Sequence, residues 1–302
     1  MKSIALFIMQ GGRQATIVVA TFAMLSLLMP PLIVLSTAAL CLVTLRNGGA
    51  EGVKVVIGST VATSLLGYIS LGTPFLSFSY LFIMWLPALV ISLVLRETRQ
   101  LNKALEVLVG LGMLAVIGIY AFVDSPAQQW VTQIQVVVDT ISQQESLSVS
   151  KTELQTLLEF WSHYITGLVI AGSLTSLMVS LLLGRWWQGL LYNPGGFGEE
   201  FSQFRLLQRD AVIFIVLMVV AYLMSDEYAE MIWNLDIQVL LLFLVAGTSV
   251  VQAILKAKGK GRFWLLSFYV VLFFVPHLIL PLVLIGLSDV WMNWRQRFRT
   301  NV

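Results

Sequence analysis

The side chains that could bind a small molecule are the two histidines and the aromatic and acidic residues that accompany them. His163 directly precedes Tyr164, and residues 226–236 hold four acidic residues and no basic one. Imidazole, phenol and carboxylate groups can all form hydrogen bonds with a polar ligand. One hypothesis is a ligand pocket near the outer ends of the helices, formed by His163, Tyr164, Trp130, Asp236 and His277. The alternative is that each histidine makes only local hydrogen bonds, because no carboxylate stands at a fixed spacing from either.

Motifs of known enzyme classes are missing from the sequence. It contains no HExxH, CxxC, Walker or GxSxG pattern. The only cysteine, Cys41, lies in an apolar segment, which excludes a disulfide framework and a cysteine metal site. Residues 258–262, KGKGR, lack the strand–loop–helix context and the GK[ST] ending of a nucleotide-binding loop. We therefore expect a non-enzymatic protein with no catalytic residue, no cofactor, no metal and no nucleic-acid partner.

Three charged residues are candidates for a structural or coupling role. Asp289 lies near the inner end of the last apolar segment, six residues before Arg295. Ionisable groups at membrane depth are unfavourable unless they are paired, so Asp289 either serves transport and coupling or anchors the helix end through an arginine. Arg185 opens the loop 184–210, which either docks a partner or forms an interfacial helix followed by a turn. A lipid-modifying enzyme using Arg185, Asp289 and Arg295 lacks a spaced acid–base or metal set.

The composition is that of an integral membrane protein. Hydrophobic residues make up 58% of the chain and charged residues only 11%, whereas soluble domains carry roughly 25% charged residues. Apolar runs long enough for helical spans of about 20 residues recur along the whole sequence. We expect an all-α, polytopic helical bundle with about ten transmembrane helices. The expected crossings are residues 14–29, 30–45, 55–71, 75–95, 107–123, 157–183, 211–224, 237–255, 263–277 and 278–293.

Proline divides two of the apolar runs. Residues 14–45 contain Pro30 and Pro31, and residues 263–292 contain Pro276 and Pro281. Proline lacks a backbone donor and clashes with the preceding turn, so a helical hairpin is expected in each run. The alternative is a single long, kinked helix in each case, because membrane helices tolerate proline.

The distribution of basic residues sets the orientation. With the ten crossings above, 17 of the 18 lysines and arginines fall on the same side as both termini, and Lys151 alone falls on the other. The positive-inside rule then places both termini in the cytoplasm, in a bacterial inner membrane. We expect one integral domain, 1–302, with five helices in 14–123, an extracytoplasmic amphipathic segment at 124–156, and five helices in 157–302.

The closing segment carries a family resemblance. Residues 286–291, GLSDVW, followed by Arg295, resemble the closing motif of the YybS-like family of uncharacterised bacterial polytopic membrane proteins, as do the proline-split helix pair before it and the opening pair ending in Arg46. That family is distantly similar to substrate-binding subunits of energy-coupling-factor (vitamin-uptake) transporters, over about the first half of the chain. The resemblance implies a small-molecule-binding subunit in the lipid bilayer, with a membrane partner subunit or a transporter ATPase module. The alternative is a membrane scaffold that docks other proteins through 184–210 and the basic tail.

Overall fold

The computed structural model describes residues 1–142, 151–224 and 226–299, and within these residues the regular structure is entirely helical. A π-helical stretch, Tyr80–Trp85, and a 3₁₀ turn, Pro276–Leu278, accompany the α-helices. The all-α fold class is confirmed. The helices are α1 (Lys2–Ile8), α2 (Gly12–Leu25), α3 (Leu32–Asn47), α4 (Gly49–Leu71), α5 (Phe75–Ser79), α6 (Leu86–Thr98), α7 (Leu101–Phe122), α8 (Pro126–Ser142), α9 (Lys151–Tyr192), α10 (Gly196–Ser202), α11 (Gln208–Leu223), α12 (Asp226–Ala257), α13 (Arg262–Phe274), α14 (Ile279–Met292) and α15 (Trp294–Arg299).

Five of the described helical segments are long and apolar enough to cross a membrane. They are Gly49–Leu71, Phe75–Thr98, Leu101–Phe122, Thr152–Tyr192 and Tyr228–Ala257. A sixth span is possible if Phe263–Phe274 and Pro276–Met292 count together, although this pair is bent by 107°. The helices α2 and α3 are also apolar but shorter. The polytopic, helical membrane architecture expected from the composition is confirmed.

The N-terminal proline pair separates two helices that pack against each other. Helix α2 ends at Leu25 and α3 begins at Leu32, directly after Pro31. The two helices are in contact, and Ser36 of α3 donates a hydrogen bond to the carbonyl oxygen of Val19 in α2 at 2.8 Å. A break at the prolines, rather than one continuous kinked helix, is therefore what the chain adopts.

The C-terminal run is also broken at proline. Helix α13 ends before Val275, because the residue before a proline is disfavoured in the helical region and Pro276 has no N–H to donate. Pro281 falls in the first turn of α14, where a missing N–H leaves no hydrogen bond unmade. Helix α14 packs closely on α12 at two glycines: a Cβ on Gly247 would strike the Leu282 carbonyl, and one on Gly286 would strike that of Phe243.

The chain forms two compact units. The first comprises residues 1–108, 173–206 and 243–302, and the second comprises 109–172 and 207–242. In the first unit, α2 packs on α3 and α4, and α3 packs on α4 and α6. The boundaries between the units fall within α7, α9 and α12 and just before α11. The second unit therefore contains most of α7, α8, the first half of α9, α11 and the first half of α12.

Helix α9 extends past its expected end at residue 183. It continues through Arg185 to Tyr192 and is followed by the turn expected at residues 193–195. A tryptophan beside an arginine at the end of a membrane helix is typical of an interfacial anchor, but Trp187 is 0% exposed and is therefore a packed residue. Helix α8 begins at Pro126, as expected for the amphipathic segment, and residues 143–150 of that segment lie outside the described part of the chain.

Candidate ligand-binding site

A row of polar residues lies along one face of α12 in the second unit. Glu230, Asn234 and Gln238 follow one another at intervals of four residues, which places their side chains on the same side of a helix. Asn234 and Gln238 are 0% exposed. Amide groups buried in an apolar helix are unfavourable unless they form hydrogen bonds. The row therefore requires polar partners on a neighbouring helix.

Helix α9 provides those partners. The Asn234 Nδ2 atom donates to the carbonyl oxygens of His163 (2.6 Å) and Glu230 (2.8 Å), while Asn234 Oδ1 accepts from the backbone N–H of Gly167. One turn further along, Gln238 Nε2 donates to the Gly167 carbonyl oxygen at 2.9 Å. A Cβ at position 167 would collide with both the side chain and the backbone of Asn234. Gly167 is therefore what lets α9 and α12 approach closely enough to form these bonds.

The carboxylate of Glu230 occupies the end of the row. Its Oε2 atom accepts a hydrogen bond from His163 Nδ1 at 2.6 Å, and its Oε1 atom accepts one from the Tyr120 hydroxyl, also at 2.6 Å. Asn234 Nδ2 donates to the same Tyr120 oxygen at 3.1 Å. The side chain of Glu230 is 12% exposed, whereas that of His163 is 56% exposed. A nearly buried carboxylate is thus held in place from two helices, with an accessible imidazole beside it.

A cavity of ≈ 490 Å³ opens at this carboxylate. Its walls come from the start of α8, the first third of α9 and the first turns of α12. Three of its residues are aromatic and four others offer polar groups. The lining residues are Ser125, Ala127, Gln128, Phe160, His163, Tyr164, Glu230 and Trp233.

The structure brings together some of the residues proposed from the sequence. His163 and Tyr164 line the cavity. Trp130 belongs to the same unit but does not line the cavity, and its Nε1 donates to Thr166 Oγ1 at 2.9 Å. Asp236 lies on α12 and is 4% exposed, again outside the cavity wall. His277 belongs to the first unit, where it is exposed in the 3₁₀ turn.

Several residues of this arrangement were not proposed from the sequence. Glu230 was included only as a member of the acidic stretch 226–236. With Asn234 and Gln238 it carries a further readable signal, since three polar residues at four-residue intervals in an apolar helix indicate a polar helix–helix contact. Trp233 and Tyr120 carry no such signal. Tyr120 is 110 positions from Glu230, and only the packing of α7 beside α12 brings the two side chains together.

The first unit contains a separate buried cluster around Asp289. The Asp289 Oδ1 atom accepts from the backbone N–H of Trp294 at 2.9 Å, and Oδ2 lies 3.6 Å from Arg295 Nη2. Arg205 Nη2 donates to the Val290 carbonyl oxygen at 3.2 Å. The Asp289 side chain is 2% exposed and that of Arg295 13%. These contacts fit the structural alternative for Asp289, a residue that fixes the end of α14 and the start of α15.

The two arginines proposed with Asp289 are both held by side chains of this unit. Arg295 Nη2 also donates to Ser249 Oγ on α12 at 3.2 Å. Burial lowers the pKa of the Arg295 guanidinium from its ordinary value, and the Asp289 carboxylate opposes that shift. Arg185 pairs with Glu200 of α10, with Nη2 and Oε2 2.7 Å apart, and donates from Nη1 to Gln188 Oε1 at 2.6 Å. Arg185 is therefore engaged within its own chain.

No group of three or more histidine, cysteine, aspartate or glutamate side chains that could hold a metal occurs among the described residues.

The sequence model of a family described as "Predicted membrane protein (DUF2232)" matches residues 17–290. Comparison with curated proteins found no match. Comparison with solved structures likewise found none.

Proposed function

This chain belongs to the DUF2232 family of membrane proteins, and on that premise we propose that it is a non-enzymatic, small-molecule-binding subunit. The ligand occupies the cavity beside His163, Tyr164 and Glu230. This function agrees with the absence of the spaced catalytic motifs from the sequence.

The observation that carries the proposal is the cavity itself. Its volume of ≈ 490 Å³ lies within the range of roughly 300–1,000 Å³ that is typical of small-molecule sites. Such sites combine apolar or aromatic walls with a few converging polar groups, and here Glu230 and His163 converge on walls formed by Phe160, Tyr164 and Trp233. The hydrogen bonds from Tyr120 and His163 hold the carboxylate before a ligand arrives, which reduces the entropy lost on binding.

The proposed setting is a bacterial inner membrane with both termini in the cytoplasm and ten crossings. The support is the segregation of 17 of the 18 basic residues to one side in that threading. In this orientation the start of α9 and the start of α12 are at the extracytoplasmic side. The cavity then opens to the outside, where an uptake protein would meet its ligand.

The proposed partner is a second membrane subunit or a transporter ATPase module, as in energy-coupling-factor transporters. The support is the resemblance of residues 286–291 and Arg295 to the YybS-like closing motif, together with the distant similarity of that family to the transporter subunits. This motif includes Asp289, which accepts a hydrogen bond from the backbone N–H of Trp294. That bond holds the start of α15 at the end of α14. A fixed basic α15 would give a cytoplasmic partner a defined surface.

The alternative function is a membrane scaffold. The observation that favours it is an exposed surface at the end of α9, where Tyr192 is 45% exposed and residues 193–195 form an exposed turn. Arg46 lies over the Tyr192 ring at 4.0 Å from its centroid, which keeps a basic and aromatic pair at this surface. A scaffold would use this surface and would leave the cavity empty.

Purification of the full chain in mild detergent, followed by native mass spectrometry, distinguishes the two functions. A small-molecule-binding subunit retains a specific metabolite, and co-purification of an ATPase module supports the transport role. An empty protein in a stable complex with a partner that is not an ATPase contradicts the proposal and supports the scaffold.

A further inference from the structure

Resting on the proposed function, we infer that the ligand of the cavity is an organic cation, a protonated amine attached to an aromatic or apolar body. Three features of the second unit lead to this ligand class: the charge of the cavity wall, the free accepting capacity of its carboxylate, and the aromatic rings that line the cavity.

The cavity wall has an acidic residue and no lysine or arginine. Glu230 is the acidic lining residue. The surrounding sequence reinforces this charge, because residues 109–172 and 207–242 contain ten acidic residues but only two basic ones, Lys151 and Arg209. Arg209 lies at the start of α11, beside Asp210 at 3.5 Å. A cleft dominated by one sign of charge concentrates ligands of the opposite sign.

The Glu230 carboxylate can accept further hydrogen bonds. A carboxylate offers about four lone-pair sites, and the described contacts occupy one on each oxygen, through Tyr120 and His163. An ammonium group can therefore bind Glu230 alongside these donors.

The aromatic walls suit the same ligand. Phe160, Tyr164 and Trp233 line the cavity, and the rings of Phe160 and Tyr164 are 5.7 Å apart between centroids. A cation over an aromatic face is attracted by the ring quadrupole. The rings also provide the apolar surface that a ring-bearing ligand body would cover.

Other ligand classes fit the cavity less well. A metal ion would need more ligands than the described residues supply, because no group of three suitable side chains occurs among them. An anion would be repelled by Glu230, and like charges a few ångströms apart are strongly unfavourable in a partly buried site. A neutral ligand would provide no positive charge to pair with Glu230.

The test uses the full chain in detergent and three probes of similar size, with binding measured by ligand-observed NMR and calorimetry. Benzyldimethylammonium, which keeps one N–H donor, is the cation, N-benzylacetamide the neutral probe and benzenesulfonate the anion. We expect the cation to bind at least about tenfold more tightly than the other two. Glu230→Gln should weaken cation binding by about tenfold, since it removes the charge but keeps an accepting oxygen.

Glu159→Gln is the matched control. Glu159 is an exposed glutamate of α9, four residues before His163, and it does not line the cavity. The Glu159→Gln substitution removes one negative charge from the same unit, as Glu230→Gln does, and should leave cation binding unchanged. Trp233→Leu keeps the charge and removes one aromatic wall, so it should weaken the cation severalfold even if Glu230→Gln fails to fold.

The outcomes separate this inference from the proposed function. Equal or tighter binding of benzenesulfonate or N-benzylacetamide overturns the inference, as does unchanged cation binding in both Glu230→Gln and Trp233→Leu. Retention of an anionic or neutral metabolite by the purified protein also overturns the inference but preserves the small-molecule-binding function. A protein that retains no metabolite and binds none of the probes overturns both.

Discussion

The Oε2 atom of Glu230 lies 2.6 Å from the Nδ1 atom of His163, although 67 positions of sequence separate the two residues. Their helices, α12 and α9, are joined directly behind this pair by the buried amide of Asn234. The exposed imidazole and the nearly buried carboxylate are therefore parts of one polar contact that begins at the cavity and continues into the helix interface. Variants along this contact separate its role in stability from its role in binding.

Replacement of Asn234 by leucine should destabilise the protein. The variant removes the donor to the His163 and Glu230 carbonyls and the acceptor of the Gly167 N–H. Loss of buried hydrogen bonds of this kind lowers the free energy of unfolding by about 1–3 kcal/mol. Thermal unfolding in detergent measures the change. Gln133→Ala, at an exposed position of α8, is the control and should stay within about 0.5 kcal/mol of the wild type. Equal melting of Asn234→Leu and the control would contradict the assigned contact.

Replacement by alanine should have different effects on stability at two glycines of α9. In Gly167→Ala the new methyl group meets the side chain and backbone of Asn234, so the helices must move apart at a typical cost of about 1–3 kcal/mol. At Gly172 no atom lies within 4 Å of an added Cβ. Gly172→Ala should therefore be neutral or slightly stabilising, since alanine is the better helix former. Melting temperatures of the two variants provide the comparison, and a more stable Gly167→Ala variant would show that the close approach is absent.

Removal of one partner from the Asp289–Arg295 pair should lower the stability of the protein more than removal of both. Asp289→Asn leaves a largely buried guanidinium without its counter-charge, and such changes cost about 3–5 kcal/mol. In the double variant with Arg295→Met the unpaired charge is gone, so stability should recover in part. Unfolding of the single and double variants in the same detergent measures the difference. Additive losses in the double variant would indicate that the two side chains do not interact.

The two histidines should differ in their effect on ligand retention. His163→Ala removes a lining group and a hydrogen-bond donor to Glu230, so the purified protein should retain less ligand. His277→Ala changes an exposed residue of the first unit and should retain the wild-type amount. Native mass spectrometry of both variants gives the ratio of bound to empty protein. Wild-type retention by His163→Ala would remove this residue from the site.

The hairpin expected in the C-terminal run can be tested by its topology. Helices α13 and α14 are bent by 107° at the Val275–Pro276 break. If the two halves lead the chain across the membrane and back, reporter fusions at Leu280 and at Val302 should lie on opposite sides. Alkaline phosphatase and green fluorescent protein fusions report the two sides. The same side for both positions would exclude the hairpin.

The sequence was sufficient for the class of the protein and for several of its helix boundaries. An apolar fraction of 58% with few charges leaves helical membrane spans as the structure that satisfies the backbone hydrogen bonds. Proline at 31, 126 and 276 marks a helix boundary in the structure because its ring and missing N–H act locally. Arg295 was one of the arginines that the sequence offered as a partner for Asp289, since the two residues are close along the chain.

The contacts at the cavity join residues that are distant in sequence. Of the residues proposed from the sequence, His163 and Tyr164 line the cavity, and the carboxylate that bonds to His163 is that of Glu230, while His277 belongs to the other unit. A hydrophobic pattern shows which face of a helix a residue lies on. It does not show which other helix will pack against that face. Trp187 illustrates the same limit, because a tryptophan after an arginine is typical of an interface, yet its burial was decided by packing.

The sequence by itself therefore determined an all-α membrane protein, the breaks at its prolines and the strong segregation of its charges, because each follows from local chemistry or from composition. Only the tertiary structure decided that Glu230, His163 and Tyr120 share one site. That meeting requires α9 to approach α12 at Gly167, and the approach depends on the absence of a side chain at one position and on an amide 67 positions away.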